Sequence, residues 1–269
     1  MNPGHMSPPA TSAFDPLFWL HHSNVDRQIA LFQALFLSTY VERCTAKEST
    51  WTIQPGESLD AQSPLTPFHR ASGEWWTSAS SKNIVDLGYT YPELLDTPSN
   101  ETLISRINSL YRDSRLASKN TKLYPAVQEV EYIVQVTMPI SAKSSYNVVV
   151  FLGDMHDNPA KWTSQDSFVA KTSSLMAMTA QSSSTTVGTV LLNGVVAKNL
   201  ANSQMQQEEV SHYLKTNLHW RLELGDVEIP RSEVPGVKVT LMSTKIERAT
   251  TISELDRWVG GFTVLGEIA

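Results

Sequence analysis

A single cysteine, Cys44, serves all 269 residues, so no intramolecular disulfide can form and the fold does not lean on an oxidising compartment. Long apolar runs are absent too: the sequence contains no stretch of about eighteen apolar residues, the minimum for a membrane-crossing helix. The opening MNPGHMSPPA lacks the basic and apolar regions of a signal peptide, so a cytoplasmic location without membrane partners is expected. Basic charge is scarce, with 21 Lys and Arg against 27 Asp and Glu, a formal net charge of -6 and a pI near 5.6. No basic run is interleaved with aromatics, which excludes a nucleic-acid footprint. What remains is a globular chain whose 41% hydrophobic and 18% charged content suffices for one large or two ordinary cores.

The densest chemistry lies near the start, in FDPLFWLHHSNVDR, residues 14–27. Asp15 can accept free amide hydrogens of a first helical turn, and Pro16 has none to leave unpaired, so a helix is expected to begin there and run to about Leu37. Phe18, His22, Val25, Ile29, Phe32 and Phe36 recur at spacings of three and four, which predicts one inward stripe carrying an imidazole among apolar anchors. An inward imidazole needs hydrogen-bond partners or a metal, and the pattern by itself leaves both open.

That string resembles the second-copper signature of the tyrosinase, catechol oxidase and hemocyanin group, D-P-x-F-x-x-H-H-x-x-x-D. The resemblance implies a helical bundle in which each of two coppers is held by three histidines. It makes His22 the last ligand of the second copper, Phe18 the aromatic that narrows the approach, and His21 a neighbour that does not bind metal. Asn24, Asp26 and Arg27 would be polar groups that support the ligand or fix the helix. The departure is equally plain: apart from His21, the only histidine before His22 is His5, which resembles a non-ligand loop position, and the H-x-x-x-H pair and three earlier histidines are not there. His69, His156, His212 and His219 have no ligand-type spacing. Cys44 follows the signature, the wrong side for the family's cysteine–histidine thioether.

Further along, residues 45–67 offer no helical stripe and read as an ordered surface loop, and Trp75-Trp76 as core anchors. LGYTYPE, residues 87–93, resembles the tyrosine motif that closes the copper domain of fungal tyrosinases; by pattern alone it reads as a short strand ended by Pro92. A helix is expected over residues 101–115 within an exposed linker, where the family is cleaved on activation. Asn100-Glu101-Thr102 is a glycosylation tripeptide that matters only in a secreted protein.

From Glu129 the period becomes two. Val130, Tyr132, Val134 and Val136 alternate with polar residues, residues 146–152 form a near-continuous β run, and further strands are expected at 186–192, 218–224, 237–242 and 262–268, with a short helix at 204–214. This spacing suggests an antiparallel sandwich. YNVVVFLG, VGTV and YLKTNLHWR in this order resemble the fungal tyrosinase C-terminal domain, although the C-x-x-C pair of some members is absent from residues 173–178.

The expected fold is therefore α+β, a remnant of a helical di-copper bundle over residues 1–97, a linker over 98–127 and a β-sandwich over 128–269. The resemblance implies copper as cofactor and oxidation of phenolic small molecules by dioxygen to o-quinones, of the pigment-forming type. With five of six copper ligands missing, the expectation is an N-terminally truncated chain, inactive alone unless a partner chain supplies the rest. The alternatives are a non-catalytic shielding module and a hemocyanin-like oxygen carrier.

Overall fold

The computed structural model describes residues 9–47, 49–96, 98–111, 130–140, 145–174, 185–200, 205, 207–249 and 251–269. His5 and most of the expected linker lie outside them. The chain divides into two compact units, one comprising 16–112 with 251–254, the other 1–15, 113–250 and 255–269.

After a single helical turn, α1 (Pro9–Ser12), the longest helix, α2 (Pro16–Leu35), starts at the proline suited to a first helical position. Its buried residues are Ala30 and Leu31; Phe18 and Val25 are half-buried, whereas His22, Ile29, Phe32 and Phe36 are exposed. The expected inward stripe is thus corrected. The face that finds partners within this unit is the adjacent one, set by the contacts of α2 with a 3-10 turn at Pro92–Leu94 and with α4 (Asn100–Tyr111).

Between these elements the expected loop carries two small antiparallel hairpins, β1 (Cys44–Thr45) with β2 (Ser58–Leu59), and β3 (Pro64–His69) with β4 (Trp75–Thr77). Trp75 is exposed and Trp76 half-buried under the Arg70 guanidinium at 4.3 Å, so neither anchors a core. Such a hairpin has too few strands to enclose an indole. Thr77 and Ser80 form a reciprocal capping box that starts α3 (Ser78–Ser81). The strand expected over residues 87–93 does not form: Tyr89–Tyr91 is irregular between two 3-10 turns, Ile84–Leu87, where Asn83 Oδ1 accepts from the Val85 amide and Gly88 closes the turn at φ 87°, a left-handed conformation suited to glycine, and Pro92–Leu94.

The second unit is the sandwich. β5 (Val130–Pro139), β6 (Asn147–Leu152), β7 (Phe168–Ser173), β8 (Thr185–Leu191), β9 (Leu218–Leu224), β10 (Val227–Ile229), β11 (Lys238–Glu247) and β12 (Arg257–Glu267) form two four-stranded antiparallel sheets, ordered β10-β9-β6-β7 and β12-β11-β5-β8. Two helices, α5 (Asn193–Leu200) and α6 (Gln207–Asn217), join β8 to β9. Tyr132, Val134, Val136 and Met138 of β5 face Val148 and Val150 of β6 and Leu218 and Leu222 of β9 in one continuous core. The other face of β6 is also covered: Val149 and Phe151 pack with Trp162, whose Nε1 donates to His156 O at 2.7 Å from a 3-10 turn at Pro159–Ser164. Burial on both faces is why β6 reads as a continuous apolar run rather than an alternating one.

Two further devices complete the unit. Trp220 Nε1 donates to Ile268 O at 2.9 Å while the Arg231 guanidinium lies 3.7 Å over its ring, tying the last residues to β9. At the side of the sandwich Gly188 of β8 packs against Thr172 of β7, where an added Cβ would overlap Thr172 Oγ1. Gly188→Ala is accordingly expected to destabilise by about 1–3 kcal/mol as an overpacking change. Thr172→Ala in the same chain should restore most of the loss in a urea titration.

Candidate functional site

The paired histidines occupy the second turn of α2. The Phe18 ring lies 4.2 Å from that of His22, tilted by 40°, as one-turn spacing dictates, and the His21 ring meets His22 edge-on at 5.5 Å. His21, His22 and Asn24 are exposed. His22 therefore presents an imidazole outward beside an aromatic ring, with the uncovered apolar side chains of Ile29, Phe32 and Phe36 continuing along the helix.

One turn on, the helix is fastened by charge. Asp26 Oδ2 accepts from Tyr89 OH at 2.9 Å and Tyr91 OH at 2.6 Å. Arg27 forks onto Glu93, with Nε to Oε2 at 3.3 Å and a second bond from Nη2 to Oε1, and it also donates to Tyr111 OH. Arg106 Nη1 donates to the carbonyls of Glu93 and Leu95 at 2.8 and 3.0 Å, holding the 3-10 turn that carries Glu93. The Arg27 hydrogen bond, prevailing over the opposing effect of burial, holds the Glu93 carboxyl below the ordinary carboxylate value, and the Glu93 bond in turn raises Arg27. Burial, aided by the Asp26 carboxylate, pushes the Tyr91 phenol up to about 12. Burial raises the Tyr89 phenol as well, so both tyrosines remain neutral donors to Asp26.

Of the residues singled out by sequence, Phe18, His21 and His22 cluster, Asp26 and Arg27 serve the fastening network, and Asn24 joins neither. Tyr111, Arg106 and the buried Glu93 were not foreseen as partners; only the motif LGYTYPE pointed to that segment, and nothing local indicates that it meets α2 some 65 residues away. The remaining described histidines are apart: His69 Nδ1 lies 3.1 Å from Arg70 O, His156 Nδ1 accepts from the Asn158 amide at 2.9 Å, and His212 and His219 belong to the β unit. Among the described residues no group of three or more His, Cys, Asp or Glu side chains is placed to hold a metal. By themselves they do not fit a two-copper centre, and His22 is a single donor.

Residues 131–241 match the tyrosinase C-terminal domain family, and residues 1–35 the common central domain of tyrosinase. The chain belongs to the tyrosinase family. Polyphenol oxidase 2 of Agaricus bisporus is 37% identical over 111 residues, covering 41% of this chain and 19% of that protein. A Neurospora crassa tyrosinase is 45% identical over 91 residues, 34% of this chain and 13% of that protein. A crystal structure of latent and active mushroom tyrosinase superposes with a TM-score of 0.78 at 20% identity over 98% of this chain and 52% of that one. An Aspergillus oryzae apo-protyrosinase gives 0.59 at 20% identity, over 98% and 41%. These structural likenesses establish the mixed helical and antiparallel fold, and the chain spans about half the length of the mushroom structure. Tyrosinase-family proteins bind a dinuclear copper centre.

Removing Arg27 would leave the Glu93 carboxylate, only 9% exposed, without its main partner. Arg27→Ala is expected to cost about 1–3 kcal/mol. Because the folded-state carboxyl is depressed, the contribution is complete above the ordinary value of 4.5 and is lost as pH falls through the lowered one. Denaturation midpoints measured against pH should show this acid-side decline, and Glu93→Gln should flatten it.

Proposed function

We propose that the chain is part of a tyrosinase-type copper oxidase that converts monophenols and o-diphenols to o-quinones with dioxygen. In this reading His22 supplies one imidazole to the second copper, Phe18 limits the approach to it, and the other donors come from polypeptide beyond these 269 residues. The arrangement that supports it is an outward imidazole beside an aromatic ring on a helix whose neighbouring apolar side chains are uncovered; contiguous exposed apolar surface of this kind marks an interaction face. Imidazole is a borderline-soft donor suited to both oxidation states of copper, which would supply the electron transfer to dioxygen. The chain's own part is to orient that donor, with Asp26 and Arg27 holding the helix turn beyond it. By the same reading the 269 residues alone oxidise no phenol.

Two measurements test this. Copper-loaded chain, purified and analysed for metal, is expected to hold fewer than two coppers and to yield no o-quinone from a catechol; two tightly held coppers would refute the incomplete site. Joined behind the first half of the mushroom tyrosinase, the chain should give copper-dependent quinone formation that His22→Ala abolishes. Activity that survives His22→Ala would remove His22 from the centre.

A further inference from the structure

A cavity of about 610 Å³ opens along the last turns of α2, lined there by Ala30, Gln33, Ala34 and Leu37. Its nearest helical residue, Ala30, stands eight positions after His22, roughly 12 Å along the axis at 1.5 Å per residue. The space is distinct from the imidazole face. It exists because Ala30 and Ala34, with Ala79 of α3, are too small to fill the gap to Leu103 of α4 and Ile84 of the neighbouring 3-10 turn. The volume falls in the range of small-molecule sites, roughly 300–1,000 Å³.

The lining chemistry narrows the ligand. Lys82 is the one charged residue in it; its Nζ lies 3.4 Å from Leu37 O and 5.0 Å over the Tyr40 ring, and no described carboxylate pairs with it. Beside the ammonium stand the amides of Asn83, Gln33 and Asn100, which can donate to an anion. No aromatic side chain lines the cavity, so a flat ring would gain no stacking there, whereas an extended alkyl chain can lie against alanine, leucine and isoleucine.

We propose that this cavity binds an aliphatic monocarboxylate, its chain along Ala30, Ala34 and Leu103 and its carboxylate at Lys82 and Asn83. Octanoate and 1-octanol share a tail and differ in charge, which separates the two halves of the site. In amide NMR titrations of the 269-residue chain, octanoate is expected to shift the signals of Ala30, Ala34 and Leu103 saturably and to bind about tenfold more tightly than 1-octanol. Lys82→Ala, a rim change that spares the core, should remove that difference, and Ala34→Leu should abolish both titrations by filling the space. Benzoate should bind more weakly than octanoate. The proposal fails if octanoate gives no saturable shift at these residues, if Lys82→Ala leaves its advantage over 1-octanol intact, or if benzoate binds equally well. If Ala34→Leu does not fold, Ala79→Leu provides the same blocking test.

Discussion

The forked bond between Arg27 and Glu93 sets the rotation of α2 about its own axis, and much of what the first unit can do follows from it. A helix with apolar residues around most of its circumference has several faces it might bury. A charged fork with one low-energy geometry chooses among them. With Arg27 held by Glu93 and Asp26 held by two tyrosines, Ala30 and Leu31 turn inward and the His22 side is left outward. Buried ion pairs contribute little net stability against apolar replacements, but they penalise every arrangement in which the charges are parted. Here that penalty specifies an orientation.

The β unit is organised differently. No charge chooses its register; the period-two pattern does, because slipping a strand by one residue would turn its whole apolar set to the other face. β9 and β11 alternate over most of their length, whereas β5 is buried on both faces from Val130 to Val134 and alternates only beyond; a strand was expected at each, although β11 runs on to Glu247, past the expected end at 242. Two carboxylates of the sheets are buried nonetheless, Glu131 on β5 and Glu223 on β9, and Lys171 Nζ lies 2.9 Å from Glu223.

Legibility in the sequence follows the same division. The long helix at Pro16, the helix ending at Tyr111 and the principal strands were evident because each carries many residues of one period. β7 and β10 were missed: Phe168–Ser173 and Val227–Ile229 are short edge strands with weak alternation. The strand expected over residues 87–93 did not form because Gly88, in a left-handed conformation, closes one 3-10 turn and Pro92 opens the next. The rings of His22 and Phe18, both picked out by the copper-binding resemblance, do meet one turn apart, but the inward direction given to His22 came from periodicity alone. Periodicity locates an apolar stripe, whereas which stripe is buried depends on residues such as Glu93, distant in sequence and visible only once the chain is folded.

The two-sided burial of β6 also fixes a hierarchy of motion. An edge strand such as β12 can fray by losing one ladder, but exposing the amides of Val148 to Phe151 requires opening the main core, the cluster around Trp162 and hydrogen bonds to both β7 and β9. Such an opening approaches loss of the whole unit. Backbone hydrogens of β6 should therefore be the last to exchange with solvent, and their exchange rates report the global stability of the sandwich.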